Sequence, residues 1–372
     1  MNILNNNDMN ILDLPDEMLL AILNKMNMVD VLYSLVDVNQ RFDRLVLDSL
    51  YICHLNLANN SFLNRNSGIP NQVLDRISEK IFPLIHHKIN KLTVQPLSME
   101  RTLLNMNYPQ LHSLSLVNFK QKILLQHLTG DTILCHLLTN QITHLNVEII
   151  GDITRDLSDE NESNMFELIL SLGKCLIDLT FSQWFLNRAF EIPTLNITST
   201  SCVSSTLTKL NIEVNTFDNC LYLLDGRLQC LSTFIINIFE IFDSSAYIDN
   251  TKKLPKLKCF SLISACYTQF YDNGVVSLLR RMSNMKELTL FLSELVVLNS
   301  KPQKYKQRTS TLITFVYLVK LDLHLAHIDY VEQFLLETNT RLPHLKNLVI
   351  EYKQLAMVTN NFTSDAARCN CS

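Results

Sequence analysis

The stretch LHSLSL at residues 111–116 has apolar residues at its first, fourth and sixth positions and polar or small residues between them. The pattern L-x-x-L-x-L, with Ile, Val, Phe or Met also allowed at the apolar positions, occurs eleven times between residues 52 and 350, at intervals of 22 to 37 residues. One hexad would mean little in a chain so rich in leucine, but eleven indicate an internal repeat. The hexads, written by their apolar positions, are Ile52-Leu55-Leu57, Ile89-Leu92-Val94, Leu111-Leu114-Leu116, Ile142-Leu145-Val147, Leu176-Leu179-Phe181, Leu207-Leu210-Ile212, Leu231-Phe234-Ile236, Leu257-Phe260-Leu262, Met285-Leu288-Leu290, Leu318-Leu321-Leu323 and Leu345-Leu348-Ile350.

Each hexad predicts a β-strand, because its last two apolar positions are two residues apart and so share one face of a strand. Helical apolar patterns lie between hexads, for example at Val275, Leu278 and Met282, and they are long enough to connect parallel strands. The chain therefore resembles the leucine-rich-repeat proteins. This resemblance implies an α/β solenoid shaped as a horseshoe, with parallel strands on the concave face and helices outside. The repeats are degenerate, since the Asn or Cys that the family carries three residues past the hexad occurs only as Asn60 and Asn215.

The residues that flank the buried strand positions are predicted to face outward, and their charges are mixed in sign, as at Lys209 and Glu287. Mixed charge suits a protein partner better than a polyanion. Ile235, Ile263 and Phe291 occupy outward positions on three consecutive predicted strands, so we expect them to form the contact centre for a bound protein. Two alternatives are that a loop covers them, or that the register is shifted by one residue and they belong to the core.

The N-terminal segment predicts three short helices. Asp13 is expected to cap the first helix, with Pro15 in its first turn, and an apolar stripe runs from residue 18 to residue 26. Asp30 is expected to cap a second helix, and a third stripe follows at residues 42–46. A unit of this size is too small to bury a self-sufficient core, so it must gain stability from a partner or from the repeats behind it.

Four short runs in this segment carry a second resemblance: LPDEML at residues 14–19, IL at 22–23, DVL at 30–32 and RF at 41–42. Together they resemble the F-box, whose family binds the Skp adaptor of cullin-RING ubiquitin ligases. The resemblance covers residues 13–54. It implies that the following residues contact the adaptor or support that contact: Leu14, Pro15, Glu17, Ile22, Leu23, Val31, Leu32, Val38 and Phe42.

Three residues depart from the F-box pattern: Met26 and Met28 stand where leucine is usual, and Asn39 replaces a small residue or cysteine. Methionine fills irregular apolar gaps, so no apolar surface is lost. Some of the adaptor residues must also hold the three helices together, and the sequence alone does not divide them. The alternative interpretation is an ordinary helical cap on the first repeat.

The predicted organisation is a flexible N-terminus at residues 1–12, an F-box at 13–54, an irregular repeat solenoid at 55–355 and a polar tail at 356–372. The two resemblances together imply a non-catalytic substrate-recognition subunit of an SCF-type ubiquitin ligase, with a Skp-type adaptor and an unknown protein substrate as partners. The alternative function is a leucine-rich-repeat scaffold or binding protein outside the ubiquitin pathway. An enzyme with an unrecognised site is a third possibility.

Composition narrows the function classes further. The formal net charge of −4 leaves no positive field for a nucleic acid or an anionic membrane, and no apolar run approaches the roughly 20 residues that span a bilayer. Ten cysteines without a C-x-x-C pair fit reduced thiols, hence the cytoplasm or the nucleus. The chain has no phosphate-loop, nucleophile-elbow or zincin signature, so we expect no cofactor, no metal and no catalytic residue.

Overall fold

The computed structural model describes residues 11–58, 69–151, 161–185, 203–241, 253–264, 274–292 and 312–363. In these ranges the chain is a mixed α/β protein built on one parallel sheet of eleven strands, whose spatial order follows the chain. A separate pair, β10 with β12, lies outside that sheet. The strands are β1 His54–Asn56, β2 Lys91–Val94, β3 Ser113–Lys120, β4 His144–Gly151, β5 Asp178–Phe185, β6 Lys209–Thr216, β7 Thr233–Glu240, β8 Cys259–Ser264, β9 Glu287–Leu292, β10 Ile313–Thr314, β11 Lys320–Asp322, β12 Thr340–Arg341 and β13 Asn347–Val349.

Helices precede the sheet, connect its strands and follow it. They are α1 Asp16–Leu23, α2 Met28–Leu35, α3 Gln40–Val46, α4 Ser49–Ile52, α5 Asn71–Arg76, α6 Phe82–Ile85, α7 Pro96–Arg101, α8 Gln121–Leu128, α9 Ile133–Asn140, α10 Asn161–Leu172, α11 Phe217–Leu223, α12 Val276–Leu279, α13 Ile328–Leu335 and α14 Tyr352–Val358. Short 3-10 turns lie at Ile11–Asp13, His86–Lys88 and Leu103–Asn105, and a π-helical turn lies at Ile77–Ile81.

The prediction of repeated parallel strands is confirmed, because each of the eleven hexads coincides with one strand of the large sheet. The register is also regular: the middle apolar residue of each hexad pairs with the middle apolar residue of the next, from Leu55 to Leu348. The apolar hexad residues are buried in the first ten repeats, whereas those of the last repeat, Leu345 to Ile350, are only half-buried. The last repeat has a neighbour on one side only, so its apolar face is incompletely covered.

A backbone ladder connects the repeats at the edge where the strands begin. The carbonyl oxygen of Cys53 accepts hydrogen bonds from the backbone N–H groups of Asn90 at 2.8 Å and Lys91 at 3.0 Å. The same doubled acceptance occurs at each following step and ends where the Val319 carbonyl accepts from Lys346 and its neighbour. Backbone bonds thus satisfy the polar groups at this edge of the sheet.

The N-terminal helices α1 to α4 share their core with the sheet. Buried residues form one continuous cluster that begins at Leu23, and α2 packs against β1. Two cations bridge the junction: Arg76 Nη2 donates to the Val36 carbonyl at 2.8 Å, and Lys88 Nζ donates to the Leu47 carbonyl at 2.9 Å. The helical segment therefore gains stability from the repeats, as its small size requires.

Two predicted helix starts are wrong. Helix α1 begins at Asp16 with Pro15 at the N-cap, so Asp13 lies in the preceding 3-10 turn and does not cap it. Helix α2 is capped by Asn27, whose Oδ1 accepts from the Val29 N–H at 2.8 Å. Asp30 consequently lies in the first turn of α2, where its negative charge still favours the helix N-terminus.

The third helix has an asparagine cap of its own. Asn39, noted above as a departure from the F-box pattern, accepts from the Phe42 N–H at 2.9 Å and starts α3. Helix α14 runs across the predicted tail boundary at residue 356. Positions 1–10 of the predicted N-terminal segment and positions 364–372 of the tail lie outside the described residues.

Candidate functional site: a helical surface and an open sheet face

The structure divides the nine predicted adaptor residues into two sets. Four are exposed (Pro15, Glu17, Ile22 and Val38), Leu14 is half-buried, and four are buried (Leu23, Val31, Leu32 and Phe42). The buried four lie in the helical core and the exposed four are available to a partner. A role in adaptor binding stays a prediction for all nine.

Helix α1 carries one wide apolar face, of which one edge is buried and the other edge is exposed. Leu19 and Leu23 are buried in the core, whereas Met18 is 53% exposed and Ile22 is 41% exposed. Met26, in the turn after α1, is 51% exposed and continues the same four-residue spacing. We call Met18, Ile22 and Met26 the α1 stripe. An exposed apolar edge on a helix is typical of a surface that contacts a partner.

Sequence reasoning left Met18 and Met26 out of the adaptor set. The signal that could have found them is the density of apolar residues in α1 and its following turn. The apolar residues at positions 18, 19, 22, 23 and 26 form one stripe that is about 140° wide, and so wide a stripe leaves room for a second contact along its edge.

An ionic cluster fixes the start of α1 against α3. The Asp16 carboxylate accepts from Arg41 at 2.7 Å and from Arg44 at 2.7 Å. Arg41 also donates to the carbonyl oxygens of Leu12 and Leu14, the latter at 2.5 Å. The hydrogen bond from Arg41 is the main reason that the pKa of Asp16 lies below its ordinary value. These contacts hold Pro15 and the α1 stripe in a defined orientation.

The second surface is the face of the sheet opposite the buried hexad residues. Ile235, Ile263 and Phe291 are partly exposed there, and their neighbours along the strands, such as Ile236 and Leu262, are buried. The one-residue register shift considered above is therefore absent. Whether these residues contact another protein stays a prediction.

The register shows how the three apolar residues of this face are arranged. Ile263 on β8 pairs directly with Phe291 on β9, so their side chains are neighbours. Ile235 on β7 pairs with Ser261, which lies two residues before Ile263 on the same face of β8. Asn237 on β7 pairs with Ile263. The apolar patch therefore consists of the pair Ile263 and Phe291, with Ile235 diagonal to Ile263.

The rest of the open face is mainly polar, although Val349 on β13 is a further exposed apolar residue in one of its rows. One outward row holds mainly small uncharged side chains: Thr93, Ser115, Asn146, Thr180, Asn211, Ser261 and Thr289. The adjacent row is charged with both signs, and Lys209 Nζ donates to Asp178 Oδ2 at 2.9 Å across β5 and β6. A face of this composition suits hydrogen bonding to a protein.

Two cysteines near these elements are poor nucleophiles. Burial raises the pKa of Cys259, which lies at the start of β8 beside Glu287, and burial also raises the pKa of Cys220 well above its ordinary range. Both thiols stay protonated at neutral pH, and the thiolate is the reactive form.

Over the described ranges, no group of three or more His, Cys, Asp or Glu side chains is arranged to hold a metal ion. Within the same ranges no helix combines the length and the apolar character needed to cross a bilayer. His86, which belongs to a histidine pair in the sequence, contacts the Asn107 carbonyl through Nδ1 at 2.6 Å.

A comparison with protein-family models finds no family that matches this chain. A search of the curated proteins likewise gives no match.

Proposed function

We propose that this chain is a substrate-recognition subunit of an SCF-type cullin-RING ubiquitin ligase. In this proposal residues 13–54 are the F-box that binds a Skp-type adaptor, and the repeats form a leucine-rich-repeat horseshoe that binds a protein substrate. The observation that carries the proposal is the exposed edge of helix α1, where an F-box-like sequence leaves the α1 stripe uncovered. Ligases of this class act in the cytoplasm and the nucleus, so the proposal implies those compartments.

The exposed adaptor residues Pro15, Glu17, Ile22 and Val38 would make the contact, together with the α1 stripe. The buried set, which includes Leu32 and Phe42, would keep α1 to α3 in the geometry that presents this surface. Exposed apolar side chains of this kind dominate the free energy of protein association once a partner buries them.

The substrate would bind on the open face of the sheet, with Ile263, Phe291 and Ile235 as apolar anchors. Polar rows surround these anchors, which matches the usual arrangement of an apolar interface centre and a polar rim. No side chain of this chain needs to react. Its contribution to ubiquitin transfer is to hold the substrate near a loaded conjugating enzyme, so that proximity supplies the rate.

The experiment is co-purification of the full chain with a Skp adaptor, comparing the wild type with the double variant Met18→Asp, Ile22→Asp. Both positions are exposed, so the variant should stay folded, and binding should weaken by more than about tenfold because two charges would be buried without partners. Met357→Asp is the matched control, since Met357 is 55% exposed in α14, far along the chain from α1. The control should bind like the wild type.

If the wild-type chain does not bind the adaptor, the proposal is contradicted. Binding that survives the double variant would move the interface away from α1.

One observation favours the second candidate, a leucine-rich-repeat scaffold whose helices only cap the array. Helix α2 packs on β1, and Arg76 and Lys88 tie the helical segment to the first repeats, as a cap requires. A cap does not need an exposed apolar stripe. The co-purification experiment therefore separates the two candidates.

A further inference from the structure

A small apolar cleft lies between the connections that lead into β7 and β8. Its volume is about 210 Å³, and its inner wall consists of the leucines Leu223, Leu224, Leu228, Leu231 and Leu257. Gln229, Lys253 and Lys256 are exposed and line the same cleft. We call it the entry cleft, because its walls are the chain segments that lead into β7 and β8.

Buried contacts hold the two walls of the entry cleft together. Arg281 is almost fully buried, and its Nη2 donates to the Leu224 carbonyl at 2.9 Å. The carbonyl of the same arginine accepts from the Leu254 N–H at 2.7 Å. One residue thus joins the β7 connection to the β8 connection, so the cleft is present before any ligand arrives.

The size of the cleft limits its occupant. Sites for complete small-molecule ligands have volumes of roughly 300–1,000 Å³. A cleft of about 210 Å³ with an apolar wall has room for one large apolar side chain. An occupant of that size is a single anchor of a peptide.

The charge around the cleft selects the residues beside that anchor. Lys253 and Lys256 lie at its mouth, and the exposed Lys258 and Lys286 are adjacent at the starts of β8 and β9, where the Lys286 N–H donates to the Lys258 carbonyl at 2.7 Å. Across the described ranges, none of these four lysines is in an ion pair; Lys256 contacts the Cys230 thiol at 3.8 Å.

Among the residues that the structure describes, nearby acids do not neutralise this group of lysines. The lining of the cleft includes no acidic residue in the part of the chain that the structure describes. Asp225 precedes the lining residue Gly226, but Arg227 holds its carboxylate through Nε at 3.0 Å and Nη2 at 2.7 Å. Glu287 is the exposed acid beside Lys286 and leaves the group with a net positive charge.

We infer that the entry cleft is a docking site for an acidic peptide segment: one large apolar side chain enters the cleft, and flanking carboxylates face Lys253, Lys256 and Lys258. This inference rests on the proposed function where it assigns the peptide to the ubiquitination substrate. The inference also gives the substrate a chemical class: a peptide segment in which an apolar residue lies between acidic residues. Charge pairing at the exposed mouth contributes mainly to encounter and selectivity, while the apolar anchor contributes most of the affinity.

The test is fluorescence anisotropy with the full chain and labelled peptides of the form EEXEE, with Phe, Leu, Trp or Ala at X. Peptides with Phe, Leu or Trp should bind, and the Ala peptide should bind about tenfold or more weakly, as expected from the loss of one buried apolar side chain. The basic peptide KKFKK should not bind. Added salt should weaken the binding of EEFEE, because its charges meet lysines at an exposed surface.

Three variants locate the site. Lys253→Glu combined with Lys256→Glu should weaken EEFEE binding by about tenfold or more, since attraction becomes repulsion. Gln229→Trp should do the same by filling the mouth from an exposed position. Lys174→Glu is the matched control: Lys174 is an exposed lysine in the connection before β5, and this variant should bind EEFEE like the wild type. Thermal melting of each variant should confirm that it is folded.

The inference is overturned if none of the EEXEE peptides binds, or if the folded Gln229→Trp and lysine variants bind them normally. A further probe is the fatty acid laurate. If the chain bound laurate but none of the peptides, the inference would be overturned in favour of a lipid-like ligand. Adaptor binding is measured on the same preparation. If the chain binds the peptides but not the adaptor, the cleft assignment stands and the proposed ligase role is removed. If it binds the adaptor but not the peptides, only the cleft assignment is removed.

Discussion

The N-terminal helices and the repeat array bury their apolar residues in different ways. In the array each repeat covers its neighbour, so the hexad residues from Ile52 to Leu323 are buried. In the helical segment the apolar face of α1 is only partly covered, and Met18, Ile22 and Met26 stay at the surface. A repeat array completes its core by adding repeats, whereas a small helical unit has no further layer of its own. We therefore expect partners to compensate for the exposed surface of the helices, and hexad substitutions to affect folding.

The largest effect that tests this contrast should come from a hexad residue. Phe234 is fully buried on β7, with its ring centroid 5.9 Å from that of Phe260. Phe234→Ala should reduce the free energy of unfolding by about 3–5 kcal/mol, because it removes a buried aromatic side chain and leaves a cavity. Urea denaturation followed by circular dichroism measures the change.

The matched control for this prediction is Phe291→Ala on the open face of β9. Phe291 is partly exposed, so its removal should cost about 1 kcal/mol or less. Phe291→Asp should also leave the protein folded. If the Phe291→Asp variant does not fold, the open face belongs to a core, and the prediction that the apolar patch contacts a substrate is wrong.

A middle-sized effect should come from the junction of the two regions. Arg76 donates to the Val36 carbonyl, and its guanidinium carbon lies 5.4 Å from the centroid of the Tyr33 ring. Arg76→Ala should lower the free energy of unfolding by about 2 kcal/mol, since it removes a charged hydrogen bond and a cation–π contact. The exposed neighbour Lys80→Ala should change it by less than about 0.5 kcal/mol.

The same denaturation curves test whether the two regions are one cooperative unit. The shared core predicts a single transition for the wild type. Two separate transitions would show that the helical segment unfolds independently and that the junction contributes little.

The smallest effect should be the pH dependence of the ionic cluster at the start of α1. Because Arg41 and Arg44 lower the pKa of Asp16, this carboxylate stabilises the folded state above its unfolded pKa of about 3.9, and the contribution is lost as the pH falls through the lower folded value. Asp16→Asn should therefore show a shallower loss of stability below about pH 4 than the wild type. Thermal melts between neutral and acidic pH measure this. Equal slopes for the two proteins would mean that the cluster does not stabilise the start of α1.

The strands could be predicted because the signal for each is local. Two apolar residues spaced two apart define a strand face, and eleven repetitions exclude a chance match. The hexads predicted parallel strands, whereas the pairing of Leu55 with Leu92 is a finding of the structure. Helix starts were less predictable. Asn27 and Asp30 can both cap a helix, and the choice depends on which side chain turns back to a free N–H group.

The division of the helical residues and the entry cleft could not be predicted at all. Ile22 and Leu23 are adjacent and equally apolar, yet one is exposed and the other is buried, because only one of them faces the rest of the helical core. The cleft joins two connections through Arg281, which lies 57 residues from Leu224 in the chain. No local pattern indicates such a contact.

The sequence by itself determined the repeat, the positions of the strands and the resemblance of its N-terminus to an F-box, because these depend on residue type and spacing over short distances. Tertiary structure alone decided which side of α1 is available to a partner, how Arg76 and Lys88 join the helices to the sheet, and where the lysines meet an apolar cleft. Those features arise when residues far apart in the chain compete for the same buried space, and that competition is resolved only in the folded molecule.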